Sequence, residues 1–557
     1  MDQAGRRIQL YNQERLAPDL DRGFRALEQD RVPARIWGHD WTLWKAEDKE
    51  ITNRLGWLAS PWEAEQGIPD MEAFAASVRG EGLTRAVVLG MGGSSLAPEV
   101  FARMFPTAAN ALDLEVLDTT EPRTVAAAEG RLDLRETLFL VSSKSGTTAE
   151  LVALLSFFYD RARRELGERL AGSRFAAITD PGTPLDALAR NLGFRRVFHG
   201  RPDIGGRFSA LSAFGLLPAA LKGVDLKRLL SSAQAMAAEC RAGSAADNPG
   251  AFLGAVLGTA AVRGLDKLTI LVPPRLRPLA GWLEQLVAES TGKDGRGIVP
   301  VIEDGPGPVE VYGGDRLFVH IGASGGPAPE PELGALVEAG LPLVRLGFDE
   351  PCDLGAFFFL WEFATAVAAH FLEVNPFDQP DVESTKKKTR QVLAGPGGGS
   401  APDIRIAGPP HPAGAAEALA AFFGAARDGD YLAVLAFLPP RAEVRTLLEG
   451  LAGALRRRYR RPVTVGFGPR YLHSTGQLHK GDGNRGLFLM LTGADLPEVP
   501  IPETPGMVRP AATFADLFRA QASGDRLALE EKGRRVMAVE LSGPIEPAVG
   551  GLTALLK

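Results

Sequence analysis

Cysteine is nearly absent: Cys240 and Cys352 are the only two in 557 residues. Two thiols cannot build a disulfide framework, and their spacing fits no zinc site. Such usage predicts a reducing, cytoplasmic compartment. A basic excess is also missing. Lys and Arg number 62 against 68 Asp and Glu, a net charge of −6. That argues against nucleic acid as the main partner, because a phosphate backbone selects basic surfaces. It leaves room for a small anionic substrate, since a few local donors outweigh a global field. Long apolar runs are lacking too. The opening Met1-Asp2-Gln3-Ala4-Gly5-Arg6-Arg7 has no signal-peptide core. The most apolar run, Leu354 to Trp361, is cut by Glu362. It is too short for a bilayer span and reads as a buried helix. A soluble, unprocessed chain without a membrane partner is expected.

What remains is an ordinary globular composition, 45% hydrophobic and 23% charged, which excludes the disordered and fibrous classes. The length exceeds a single core and implies two to four domains. Residues 1–60, with Trp37, Trp41, Trp44 and Trp57, predict a helical segment packed on the body. From Ala86 onward, short apolar strands alternate with helical stretches, the pattern of a doubly wound parallel α/β sheet. The expected strands are Ala86–Leu89, Leu114–Leu117, Leu138–Val141, Phe175–Ile178 and Val197–Phe198. Residues 207–245 look helical and lead to a second unit with strands at Leu268–Val272, Ile298–Ile302, Leu317–Ile321 and Leu343–Leu346. The Gly- and Pro-rich run 394–402 predicts a linker. Strands at Tyr431–Phe437, Val463–Phe467, Gly486–Leu491 and Arg535–Leu541 then predict a third α/β module. The expected boundaries are therefore 1–60, 61–245, 246–393, 394–402 and 403–557.

The most informative segment is Phe139-Leu140-Val141-Ser142-Ser143-Lys144-Ser145-Gly146-Thr147-Thr148-Ala149-Glu150, a strand, a hydroxyl-rich turn and the start of a helix. Helix N-terminal N–H groups and the helix dipole favour an anion there. The hydroxyls of Ser143, Ser145, Thr147 and Thr148 add donors, and Gly146 permits close backbone approach. The site suits a phosphate monoester. A P-loop is excluded because its Gly-x-x-x-x-Gly-Lys-Ser/Thr order is missing. The plainer alternative is helix capping, which Ser and Thr often supply. A second turn, Gly90-Met91-Gly92-Gly93-Ser94-Ser95, follows the first strand. Alone it is a tight turn; beside the first it lines the same pocket with the Gly93 backbone and Ser94.

These two turns resemble the sugar-isomerase fold, and specifically the phosphoglucose isomerase family. Three further segments extend the resemblance: Asp203-Ile204-Gly205-Gly206-Arg207-Phe208-Ser209, Gln285-Leu286-Val287-Ala288-Glu289-Ser290-Thr291-Gly292-Lys293, and Asn375 to Lys386. Leu472-His473-Ser474-Thr475-Gly476-Gln477 is similar to the bacterial histidine motif, but here it follows the other motifs. That order resembles the isomerase half of transaldolase–isomerase fusion proteins. Residues 1–60 cannot form a (β/α)₈ barrel of about 250 residues, so no transaldolase activity is expected.

The resemblance implies two tandem flavodoxin-like sugar-isomerase domains plus the C-terminal α/β module. It implies an aldose–ketose isomerase that interconverts glucose 6-phosphate and fructose 6-phosphate by ring opening and a cis-enediol. Glu289 would be the base that moves the proton between C2 and C1, in need of shielding from water. Arg207 would stabilise the enediolate by a fixed guanidinium aimed at developing charge. His473, with Lys386 on the ring oxygen, would open the ring, since His titrates near neutral pH. His479 remains a rival, and Lys386-Lys387-Lys388 leaves a register ambiguity that the spacing from Gln379 resolves to Lys386. Gln285 and Gln379 would bond sugar hydroxyls, and Lys144 would join the phosphate turn. No cofactor or metal is expected, because enediol proton transfer needs none. A homodimer is expected from the family, with the chain that supplies the histidine left open. Action on mannose 6-phosphate as well, or a non-catalytic sugar-phosphate sensor, are the competing readings.

Overall fold

A computed structural model describes residues 8–324, 331–395, 401–407, 412–507 and 509–556. The chain opens with a short strand, β1 (Ile8–Tyr11), and then the helices Ala17–Gln29 and Val32–Trp37. The helical reading of residues 1–60 is thus corrected at its start. Ile8-Gln9-Leu10-Tyr11 runs antiparallel along the edge of the second sheet, where backbone pairing supplies what four residues of local pattern do not announce.

The first sheet contains β2 (Arg85–Leu89), β3 (Asp113–Leu117), β4 (Thr137–Ser142), β5 (Phe175–Thr179) and β6 (Arg196–His199). Its order is β3-β2-β4-β5-β6, all parallel. Thr137–Ser142 is buried at every position, as expected of a strand covered on both faces by crossover helices. In this order the direction of winding reverses between β2 and β4, and the crevice outside their carboxyl ends is where such sheets bind ligands. Both Gly- and Ser-rich turns leave from those two strands.

The second sheet contains β7 (Lys267–Leu271), β8 (Val299–Glu303), β9 (Arg316–Gly322) and β10 (Leu343–Gly347), in the order β1-β10-β9-β7-β8. The third contains β11 (Ile404–Ile406), β12 (Tyr431–Phe437), β13 (Val463–Phe467) and β14 (Gly486–Gly493), followed by a ribbon of β15 (Pro500–Pro502) and β16 (Pro510–Thr513), then β17 (Arg535–Leu541). Its order is β11-β17-β14-β12-β13. Taken in order of succession, the main strands of all three sheets therefore follow one scheme, second-first-third-fourth. The C-terminal module repeats the topology of the two before it.

Packing locks the modules together. The helix Leu354–Leu372 is the spine of the largest core, with Trp361, Phe358 and Phe359 fully buried. The stretch Pro351–Leu372 is long and apolar enough to cross a membrane, yet 89% of its apolar window is buried inside the chain. Burial alone pushes the carboxyl of Glu362, within this helix, well above the usual range. From the third module, Ile501, Phe514 and Leu517 join the core around the helix Ala149–Leu166 of the first. Strands β8 and β13 meet where the second and third sheets abut, both at sheet edges. Of the expected linker, residues 396–400 lie outside the described residues.

Candidate active site

A cavity of about 560 Å³ opens at the crevice outside β2 and β4. The turn after β2 lines it with Met91, Gly92, Gly93 and Ser94. Gly93 packs so closely on the Gly205-Gly206-Arg207 segment that a Cβ there would collide with the Gly206 carbonyl. That contact needs glycine and fixes two loops against each other. The turn after β4 lines it with Ser143, Lys144, Ser145 and Thr148. Ser143 Oγ accepts the Gly146 N–H at 3.0 Å, and Gly146 itself takes a left-handed φ of 68°. The helix Ala149–Leu166 starts at Thr148, whose side chain makes no capping bond, so its hydroxyl is not spent on the helix. Thr147 does not line the cavity; its hydroxyl lies 3.1 Å from that of Ser145. Lys144 lines the wall, but its ammonium donates to Asp180 Oδ2 at 2.5 Å and to the Arg201 carbonyl at 2.9 Å. It ties two loops together where a direct phosphate contact was expected.

Across the cavity, Gln285 and Glu289 sit one turn apart on the helix Arg277–Thr291. Glu289 is 8% exposed. Gln285 Nε2 donates to its Oε2 at 3.0 Å, and Arg207 Nη1 stands 3.5 Å from its Oε1. Arg207 is held from several sides. Its Nε donates to Ser290 Oγ (2.8 Å), Nη1 to Gln379 Oε1 (3.0 Å), and Nη2 to the carbonyls of Pro376 (2.6 Å) and Asp378 (2.9 Å). A guanidinium so fixed cannot reorganise when charge develops beside it. Lys293, on the same buried side, donates to Asp378 Oδ1 at 2.8 Å. Burial first, then the charge of Arg207, lower its pKa to about 8.

The third module closes the cavity. His473, in the turn Arg470–His473 after β13, lines it together with Val382 and Lys386 of the helix Val382–Ala394. His473 Nε2 lies 2.9 Å from Glu150 Oε1. Glu150 also accepts from Gln521 Nε2 (2.7 Å), whose carbonyl accepts from Thr120 Oγ1 (2.6 Å). Burial disfavours the imidazolium, but the charge and hydrogen bond of Glu150 outweigh it and raise the His473 pKa. The Glu150 carboxyl is correspondingly lowered against its own burial. Gln285 Nε2 donates to the His473 carbonyl at 2.8 Å, joining histidine and glutamate segments. Lys386 is half-exposed and donates to Glu383 at 2.6 Å.

His479 is elsewhere. It is buried among Tyr431, Tyr471 and Phe488, and desolvation drives its pKa well below the ordinary value. The cavity also gathers residues that the motifs did not single out. Arg54 adds a guanidinium from the N-terminal segment, and Phe377 an apolar wall. Glu150 stands in the sequence only as the end of the phosphate motif, and Gln521 gives no signal because its partner is 371 residues away. Among the described residues, no three His, Cys, Asp or Glu side chains are placed to hold a metal ion.

The chain has relatives of known name. The phosphoglucose isomerase family model matches residues 73–309. A glucose-6-phosphate isomerase of Carboxydothermus hydrogenoformans is 30% identical over 404 residues, covering 62% of this chain and 86% of its own. One of Geobacter sp. (strain M21) is 32% identical over 399 residues, covering 60% of this chain and 74% of its own. Among solved structures, a hypothetical protein of Thermus thermophilus superposes with a TM-score of 0.59 at 27% identity, covering 70% of this chain and all of its own. A glucose-6-phosphate isomerase of Chlamydia trachomatis superposes at 0.55 with 19% identity, covering 66% and 85%, and shares the fold. With a relative at that identity matched over most of its length, the chain belongs to the phosphoglucose isomerase family.

Proposed function

We propose that this chain interconverts glucose 6-phosphate and fructose 6-phosphate, and that it does so within the cavity between its three modules. The observation that carries the residue assignment is the Glu289–Arg207 pair: a shielded carboxylate 3.5 Å from a guanidinium fixed by four hydrogen bonds. The phosphate of the substrate sits on the turn 143–148, with Ser143, Ser145 and Thr148 as hydroxyl donors and Arg54 near its rim. His473 and Lys386 open the ring: one proton is delivered to the ring oxygen as another leaves the anomeric hydroxyl. Glu289 then takes the proton from C2 of the aldose, leaving a cis-enediolate whose charge Arg207 neutralises; the O2 hydroxyl proton passes to O1 as Glu289 returns its proton to C1, and C2 becomes the ketose carbonyl.

Every side chain named in this scheme lines the cavity from one and the same chain. Glu289→Gln tests the base assignment. The amide keeps the hydrogen bond to Gln285 and the cavity shape but cannot accept a proton. Turnover should fall by roughly 10²–10⁴ while sugar-phosphate binding persists. Near-normal turnover would remove Glu289 from the mechanism.

A further inference from the structure

A second cavity, of about 300 Å³, lies where the three modules meet. It uses another face of the helix Arg277–Thr291: Arg277, Gly281 and Glu284 line it, while Gln285 and Glu289 face the catalytic cavity. Its other walls are the helix Leu96–Met104, the end of β8, strand β13 and the helix Ala442–Tyr459.

Most charges along these walls are matched. Arg470 pairs with Glu99 and, at 3.3 Å, with Asp118. Arg277 pairs with Glu449 and, at 2.5 Å, with Asp304, and Arg456 with Glu303 at 3.0 Å. Arg103 reaches Glu99 at 3.3 Å. Two lining groups are not matched. Among the described residues, neither Arg445 nor Glu284 forms an ion pair or a side-chain hydrogen bond. Arg445 only stacks its guanidinium 4.9 Å above the Phe467 ring. The two come from different modules and face the same space. A partly buried guanidinium with no ion-pair or hydrogen-bond partner is costly, and its fork of donors fits a tetrahedral oxyanion.

We propose that this cavity is a second anion site, separate from the catalytic one, which takes a free phosphate- or sulfate-type oxyanion on Arg445. Arg277 and Arg470, whose charges reach Arg445, reinforce the potential there, while Glu99 and Glu449 oppose it. Glu284 makes the site responsive to pH. Burial raises its carboxyl to about 7, against the pull of Arg470, Arg445 and Arg277. Below that value Glu284 is a neutral acid and no longer competes for Arg445. Above it the carboxylate competes with the anion.

Sulfate is the probe, because its charge is constant over the range in which Glu284 titrates. Thermal unfolding of the full chain is followed with the catalytic cavity saturated by fructose 6-phosphate, at constant ionic strength, with and without sulfate. Sulfate should raise Tm beyond the effect of the sugar phosphate, by mass action, and more at about pH 6 than at about pH 8. R445A should lose the increment and keep kcat and KM. No increment above saturating sugar phosphate, or an undiminished one in R445A, overturns the proposal. E284Q serves should R445A fold poorly: its increment at about pH 8 should equal the wild-type one at about pH 6. An E284Q increment with the wild-type pH dependence overturns it equally.

Discussion

His473 and Glu150 meet at 2.9 Å across a junction between modules: the imidazole comes from the turn after β13, the carboxylate from the first turn of the helix after β4. Gln521 and Thr120 extend the contact into a chain of buried hydrogen bonds that fixes the carboxylate from behind. The pair joins folding and protonation in a single contact, at the histidine proposed to open the ring.

That contact sets a pH window. His473 has a raised pKa, so its contribution to stability is present below the ordinary histidine value and is lost as pH rises through the raised one. Glu150 has a lowered pKa, so its contribution is present above the ordinary carboxylate value and is lost as pH falls through the lowered one. Glu150→Gln should remove both dependences and return His473 toward or below its ordinary value. Urea denaturation against pH should show the flattened profile. The alkaline limb of kcat/KM for the ring form should move to lower pH.

The two histidines of the motif should separate cleanly. His473→Asn should slow turnover of the cyclic sugar phosphate by roughly 10²–10⁴, the usual contribution of a general acid–base group. His479→Asn removes a ring packed on Tyr431, Tyr471 and Phe488 and should cost about 1–3 kcal/mol of stability, with kcat of the folded fraction retained. Steady-state kinetics beside a thermal melt distinguish the two. A loss of kcat in the folded His479 variant would reopen the assignment.

Gly93→Ala should disrupt chemistry without removing a functional group. The added methyl must displace the Gly206 backbone and with it Arg207. A stability loss of about 1–3 kcal/mol is expected, with a fall in kcat that sugar-phosphate binding alone does not explain. Binding titrations and kcat measured on the same preparation check this.

Lys293 is a buried ammonium whose pKa falls to about 8. Because the unfolded chain binds that proton more tightly, native stability should rise as pH climbs from the lowered value to the ordinary one near 10.4. The gain amounts to at most about 3 kcal/mol. Lys293→Met should abolish this rise when its denaturation midpoint is compared with that of the wild-type chain at the two ends of the range. Its Asp378 partner, partly exposed, can turn to water.

Sequence exposed those parts of the fold that depend on local pattern. Thr137–Ser142 and Tyr431–Phe437 are apolar runs buried throughout, and their bounds differ little or not at all from the runs visible in the sequence. Ile8–Tyr11 and Ile404–Ile406 are three- or four-residue edge strands whose identity comes from pairing with distant backbone. In the same way, the turn 143–148 is legible because its hydroxyls are contiguous. The ties of Lys144 to Asp180, and of Glu150 to Gln521, are tertiary and leave no periodicity to read. The motif match favours His473 over His479, whereas the aromatic cage that buries the latter is tertiary.

The third sheet, a repeat of the two before it, carries His473 to a cavity whose remaining groups belong to the others. On the proposed mechanism the reaction is thereby divided along the seams of the fold. A chain whose C-terminal module has come undocked would keep Glu289 and Arg207 for an already open sugar, yet would lack the histidine proposed to open a closed one. Substrate in its open form would then be spared a defect that the ring form suffers, making turnover itself a gauge of whether the modules are assembled.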